Sequence, residues 1–540
     1  MNLKSFATSA GCFALVTLVM ASPFVDYGHL SSASYEGDSR LLIWTLAWDS
    51  HAMLTGSPLF NANMFHPASQ ALAWAEHHVG IALFALPAYA STGNPVLAYW
   101  LVWLIAFPLN ALAMQALAYR VTHDRLAAFG AGLVYAFCFF RMHHAHGHVQ
   151  MLWTWALPLV PLALERWAER PSLLHAAVAA TLVLLQALSG WYLAVFAALL
   201  SLVVAAILLT TRRPTVGHAI SGTLALAISV LTIWWFAAPY TRVLAGGPAE
   251  AAANSADLGA YLVPPENTWL GQWVIGHTTF SPRWIWGEQT LYVGLTTLVL
   301  AAIGLWKWRN RPGPLSAAVL TTGAIALALS FGPAAGWSPY DLFTQLPAMS
   351  LLRAPARFAL LVMLALALLA GVAIADLHRR LGRAAPAVLI ALALIGLSES
   401  YVIGFPGGKP PQMATPAVYH RLNTLPAGAV LSLPSYVGTP EAFRESDYLL
   451  FSTAHWRPIV NGFGRQEPAG HGATLKTVSR FPAADAIQRL CDLQVRYVVL
   501  HTARASELRA AAQKAEANPE ITFLGRFADD VLFGICSRGP

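Results

Sequence analysis

Two kinds of side chain suited to chemistry are each concentrated in one part of this sequence. Acids gather in residues 35–78, where Glu36, Asp38, Asp49 and Glu76 are four of the fifteen acidic residues before position 402, beside one basic residue, Arg40. Asp38 stands just ahead of an amphipathic stretch beginning Leu41-Leu42-Ile43-Trp44, which puts its carboxylate at a helix start. There it would act as a general base on an acceptor hydroxyl or bind a divalent cation. The plainer role is a helix cap or a solvated loop charge. Glu76-His77-His78 sets a carboxylate beside two imidazoles. With Asp38 it would hold a metal ion, Asp38 and Glu76 being the candidate ligands, or contact a phosphate. The plainer role is a wetted interface.

Basic and titratable groups gather in the tract FFRMHHAHGH, which holds Arg141, His143, His144, His146 and His148. An arginine fork among imidazoles suits a phosphate or pyrophosphate; the histidine spacing is a poor zinc pattern, and snorkelling at an interface is the alternative. Arg353 and Arg357, in LLRAPARF, flank Pro355 and would clamp a lipid phosphate or anchor the chain among headgroups. Glu288, in WIWGEQTLYVG, reads as an interfacial charge. Trp191 and Tyr192 read as belt residues able to stack on a sugar. The sequence has no glycine-rich loop with a Walker lysine, no GxSxG and no HExxH, which weighs against ATP-driven transport and hydrolysis.

These groups need elements to position them. The chain of 540 residues is 56% hydrophobic and 11% charged, with a mean hydropathy of +0.53. Soluble domains carry about 25% charged residues. Apolar runs near 5–25, 96–119, 125–140, 148–165, 172–188, 191–211, 218–238, 289–306, 315–331, 356–376 and 385–402 therefore predict a mainly α, polytopic membrane bundle of about eleven spans. The run at 79–92 contains Pro87 and is short, as expected of a re-entrant or interfacial helix. With that run not crossing, thirteen basic residues fall on one side and six on the other up to residue 402. The positive-inside rule then places the N-terminus in the cytoplasm. The apolar N-terminal run is expected to stay as a span rather than be cleaved near Ala21-Ser22. The acidic loop (26–95), the histidine tract, the loops 239–288 and 332–355 and the C-terminus all then lie outside. A net charge of +7 with basic residues scattered over loops does not indicate nucleic-acid binding.

Residues 1–402 are read as the transmembrane domain and 403–540 as a small extracytoplasmic α/β domain. Its predicted strands are Ala429–Leu433, Val495–His501, Ile521–Phe527 and Val531–Cys536; its predicted helices are 439–452, 482–492 and 503–517. Cys491 and Cys536 lie in this part and would be free to pair if it is exported, though spacing alone does not bring them together.

The chain resembles the GT-C class of polytopic glycosyltransferases, in a bacterial branch, over most of its length. The matching pieces are YEGDSR, His66-Pro67, the AEHH tract, the short run 79–92, FRMHHAHGH, GEQTLYVG and LLRAPARF; STAHWRPIVNGF and FPAADAIQRLCDLQVRYVVLH resemble the extracytoplasmic tail of that group. The resemblance implies an inner-membrane enzyme that moves a sugar from a polyprenyl-phosphate donor to an extracytoplasmic glycan, lipid or protein acceptor. It implies Asp38 as the catalytic acid of the first loop, with Glu36 beside it. Arg40, Glu76, His77, His78, Arg141, His144, His148, Arg353 and Arg357 would serve donor phosphate or acceptor. The family's paired-acid pattern is interrupted here by Gly37, which leaves metal dependence open. Two other readings stand beside it: a non-catalytic exporter or assembly factor for lipids or polysaccharides, and an O-antigen ligase or polymerase whose essential residues would lie in 239–288.

Overall fold

Long apolar segments with few charges can satisfy their backbone only as helices, and helices dominate the computed structural model. It describes residues 3–25, 37–212, 214–243, 248–277, 287–310, 312–333, 338–346, 349, 352–403 and 414–536. Along the chain run α1 (Leu3–Met20), α2 (Asp38–Thr55), α3 (Val79–Thr92), α4 (Pro95–Thr122), α5 (Arg125–Ala136), α6 (Phe139–His144), α7 (Val149–Leu152), α8 (Ala156–Glu169), α9 (Leu173–Ala187), α10 (Trp191–Thr211) and α11 (Val216–Ala237). Three short helices follow, α12 (Pro248–Ala253), α13 (Leu258–Leu262) and α14 (Trp269–His277). Then come α15 (Leu295–Trp308), α16 (Pro314–Ser330), α17 (Pro339–Thr344), α18 (Ala359–Leu381) and α19 (Ala385–Ser400). The remainder comprises α20 (Ala417–Asn423), β1 (Ala429–Leu433), α21 (Glu445–Ser452), α22 (His471–Val478), α23 (Ala484–Asp492), β2 (Val495–His501), α24 (Glu507–Glu516), β3 (Thr522–Phe527) and β4 (Asp530–Gly534).

The count of about eleven spans is not reached by length and apolarity. Among the described residues five helical segments qualify: Pro95–Thr122, Arg125–His144, Trp191–Thr211, Val216–Ala237 and Pro355–Ser400. The last holds both α18 and α19, which part at Gly382 (φ 51). Five more apolar helices are short, Val79–Thr92 among them. The run 148–165 falls out because it is divided between α7 and α8, and α8 goes on into Glu165, Arg166 and Glu169.

The chain divides into two compact units. The first takes in 1–26, 101–241 and 245–408. Its centre is α18, buried along most of its length and packed by α5, α15 and α16. Small residues allow the close approach: a Cβ on Gly304 of α15 would meet the Leu369 carbonyl, and one on Gly323 of α16 would meet Ala365.

The second unit takes in 27–100, 242–244 and 409–540. Its sheet has the order β1-β2-β4-β3, with β1 parallel to β2 and the other pairs antiparallel. All four strands stand within two residues of the predicted positions. One core on this sheet joins residues far apart in sequence: Trp44, Trp48 and Phe65 pack with Tyr419, Tyr448 and Val499. Cys491 and Cys536 form a disulfide.

Candidate functional site

Each unit holds a cluster of candidate residues. In the second unit, α2 begins at Asp38 because Gly37 takes a left-handed turn (φ 63) that an L side chain rarely adopts. Asp38 is exposed, with its carboxylate in the first turn, where the helix dipole favours a negative charge. Glu36 lies outside the described residues. Three turns on, α2 carries Asp49, which is fully buried and accepts the backbone N–H of His78 at 2.8 Å through Oδ2. Burial outweighs that bond and pushes its carboxyl up to about 8, so Asp49 is neutral at pH 7. Burial, with help from His78, pushes the His77 imidazole down to about 3. His77 would therefore meet a phosphate as a neutral donor and not as a cation. Glu76 is half-buried next to it.

Arg40 departs from the phosphate-binding role expected of it. Its guanidinium is buried and paired through Nη1 with Asp447, which also accepts Arg504 Nη1 at 2.9 Å. Arg40 and Asp447 are each only 3% exposed. This three-member network ties the start of α2 to α21 and the loop after β2.

In the first unit, the turn of α6 brings the histidines together. His143 Nε2 lies 3.0 Å from the Gly287 carbonyl, and His144 Nδ1 lies 3.3 Å from His148 Nδ1. His144 Nε2 lies 3.9 Å from Glu288 Oε2. Glu288 receives a fork from Arg357: Nε donates to Oε2 at 2.8 Å, and Nη2 donates to Oε1. Burial would raise the Glu288 carboxyl, but Arg357, followed by the imidazoles of His144 and His148, holds it well below the usual carboxylate range. The Arg357 guanidinium also lies over the Tyr192 ring at 4.8 Å. The result is an ionised carboxylate, an arginine, two imidazoles and an aromatic face within one small volume. An anionic group with hydroxyls, such as a sugar phosphate, matches those donors.

Arg141 also departs from the anion-binding role expected of it. It is 1% exposed. Its Nε donates to the Tyr135 carbonyl at 3.2 Å, and its Nη1 donates to the carbonyls of Met151 and Leu152 and to Thr154 Oγ1. It braces the tract that presents the histidines. Arg353 pairs with a different carboxylate, bonded at 2.9 Å to Glu250 with both side chains about two-fifths exposed.

Two residues stand out here that sequence reasoning passed over. Glu288 read as a lone interfacial charge because its partner is 69 residues away. Asp49 carried a usable signal, an acid directly after Trp48 in an amphipathic stretch. Among the described residues no three His, Cys, Asp or Glu side chains gather to hold a metal ion.

No protein-family model and no curated protein matches the sequence. Solved structures match in fold. Arabinofuranosyltransferase AftD from Mycobacteria is 16% identical, with a TM-score of 0.60, over 100% of this chain and 40% of that one. This chain thus spans about two-fifths of AftD's length. The oligosaccharyltransferase AglB from Archaeoglobus fulgidus, in complex with an inhibitory peptide and a dolichol-phosphate, is 12% identical, with a TM-score of 0.51, over 95% and 71%. ArnT from Cupriavidus metallidurans, bound to undecaprenyl phosphate, is 14% identical, with a TM-score of 0.51, over 98% of both chains. The expected GT-C fold is the fold found.

Proposed function

We propose that the chain is an integral membrane glycosyltransferase that transfers a sugar from a polyprenyl-phosphate donor to an extracytoplasmic acceptor. The observation that carries this reading is Asp38, an exposed carboxylate at the first residue of α2, in a chain whose fold extends over 98% of a protein solved with undecaprenyl phosphate. In the reaction, the acceptor oxygen attacks the anomeric carbon, and the bond from that carbon to the phosphate oxygen breaks. The acceptor proton passes to Asp38, polyprenyl phosphate leaves, and the anomeric centre inverts. In the first unit, Arg357 with His144 and His148 would stabilise the phosphate as its charge grows, and Glu288 would hold Arg357 in place. The basic residues of the short loops favour a cytoplasmic N-terminus. The Cys491–Cys536 disulfide favours an oxidising, extracytoplasmic setting for the C-terminal sheet.

The test is sugar transfer in membranes from cells expressing the wild type or Asp38→Asn, with a labelled polyprenyl-phosphate sugar pool and immunoblots for equal insertion. We expect the variant to lose about 10²–10⁴-fold in rate. Unchanged transfer removes Asp38 from the mechanism. The ligase or polymerase reading has one observation in its favour, the place of Glu288 at the end of the 239–288 loop and against Arg357. It predicts the reverse pattern, with Glu288→Gln inactive and Asp38→Asn active.

A further inference from the structure

The bundle carries a basic cavity at the C-terminal ends of α10, α15 and α18, the helices that follow or begin with Tyr192, Glu288 and Arg357. Arg357 precedes α18 and Arg379 lies near its end, 22 residues or roughly 33 Å further along. The cavity has a volume of about 780 Å³, within the range of roughly 300–1,000 Å³ typical of ligand sites. Arg120, Arg212, Lys307 and Arg379 reach it from the C-terminal ends of α4, α10, α15 and α18, and the N-terminus of α16 faces it at Pro314–Ser316.

The carboxylates nearby do not neutralise this site. Glu165, Glu169 and Asp376 between them pair with six cations: Arg120, Arg166, Arg212, Lys307, Arg379 and Arg380. Asp124 caps α5 and bonds His378. The positive end of the α16 dipole adds to the surplus. The setting is a lipid boundary: on α15, Leu305 and Trp306 are about half-exposed next to Lys307, and the Lys307 ammonium lies 4.2 Å from the Trp306 ring. An aromatic beside cations at a helix end is the pattern of an interfacial anchor.

We propose that this cavity binds the phosphodiester headgroup of an anionic phospholipid, with Arg120, Arg212, Lys307 and Arg379 around the phosphate and the acyl chains along the apolar sides of the helices. A lipid explains why the cations converge on a cavity beside exposed apolar side chains, where a soluble anion would need only the charge. This site does not depend on the transferase reading.

The test uses the full chain purified in a neutral maltoside detergent, with Tm followed on addition of dioleoylphosphatidylglycerol, dioleoylphosphatidylcholine or inorganic phosphate. Native mass spectrometry counts retained lipid. We expect phosphatidylglycerol alone to raise Tm and to stay bound. Its apparent affinity should fall about fivefold for each cation removed, equivalent to about 1 kcal/mol, in Arg212→Gln/Lys307→Gln. Arg379→Gln, whose side chain is 66% exposed, is a second variant that folds even if the first does not, and it should lose one such step. Equal shifts from the two lipids, the same shift from phosphate alone, or variants that retain full affinity would each overturn the proposal.

Discussion

Arg40 and Arg357 are both arginines held by a carboxylate inside the protein, yet their surroundings differ in kind. Arg40 shares Asp447 with Arg504; Arg40 and Asp447 are each 3% exposed, and Arg504, 20% exposed, lies over the Tyr448 and Phe451 rings. Arg357 grips Glu288 among His144, His148 and Tyr192, and Glu288 keeps 15% of its side chain exposed. In the first network one carboxylate answers two guanidinium groups and holds α2 against α21. In the second, one ion pair is set among several further donors, more than the pair itself needs. A buried charge marks a site when the groups around it exceed what its own neutralisation requires.

The contrast breaks most sharply at Asp447. Asp447→Asn leaves Arg40 buried, and Arg504 half-buried, without their carboxylate, and the loss should be about 3–5 kcal/mol of stability. It is read as a lowered Tm and reduced yield of the full chain, with transfer per folded molecule preserved. Arg357→Gln should act the other way. Losing the cation proposed to meet the leaving phosphate should lower transfer about 10²–10³-fold per folded molecule, with a smaller change in Tm. If Arg357→Gln instead lowers Tm and leaves transfer per folded molecule intact, the two pairs are of one kind and the anion site is lost.

Asp38 and Asp49 sharpen the comparison within a single helix, one acid exposed and the other buried and neutral. The folded pKa of Asp49 is raised, from 3.8 to about 8. Between those values the folded state keeps a proton that the unfolded state has released. Asp49 therefore makes stability fall as pH rises, by about 1.4 kcal/mol per pH unit at most. His77 has the opposite sign. Its folded pKa is lowered from 6.5 to about 3, so it makes stability rise with pH across that interval. The two slopes oppose each other below 6.5, and only that of Asp49 remains from 6.5 to 8. Melting curves of wild type and Asp49→Asn across pH 6.5–8 should diverge, with the wild type falling relative to the variant. Parallel curves would mean that Asp49 is ionised in the folded state.

What the sequence revealed follows from how local each signal is. The strands of the C-terminal sheet could be read because alternation and turn residues are local, and so could the start of α2 at Asp38. Grouping 27–100 with 409–540 could not be read, because it rests on contacts such as Arg40 with Asp447, which are 407 residues apart. The same distance problem concealed Glu288. Apolar runs located the helices but did not fix the number of spans, since a run does not show where a helix breaks: α5 and α6 part at Phe137-Cys138, and α18 turns into α19 at Gly382. Arginine roles were the least legible, because Arg40, Arg141 and Arg357 look alike in sequence and differ only in which oxygen atoms surround them.

Arg353 supplies the smallest and most discriminating test. It stands four residues before Arg357 in the same LLRAPARF segment, so sequence gives the two equal weight. Its partner Glu250 is as exposed as it is, at 42% against 41%. Two long side chains in water gain little Coulomb energy and lose rotamer freedom when they pair, which limits the bond to about 0–1 kcal/mol. Arg353→Gln should therefore change Tm within that margin, and the change should shrink further in high salt. Transfer should fall by less than about fivefold, the factor that corresponds to 1 kcal/mol. A loss comparable to that of Arg357→Gln would show that exposure is the wrong criterion for separating anchor from site in this segment, and would move the phosphate contact from the buried arginine to the exposed one.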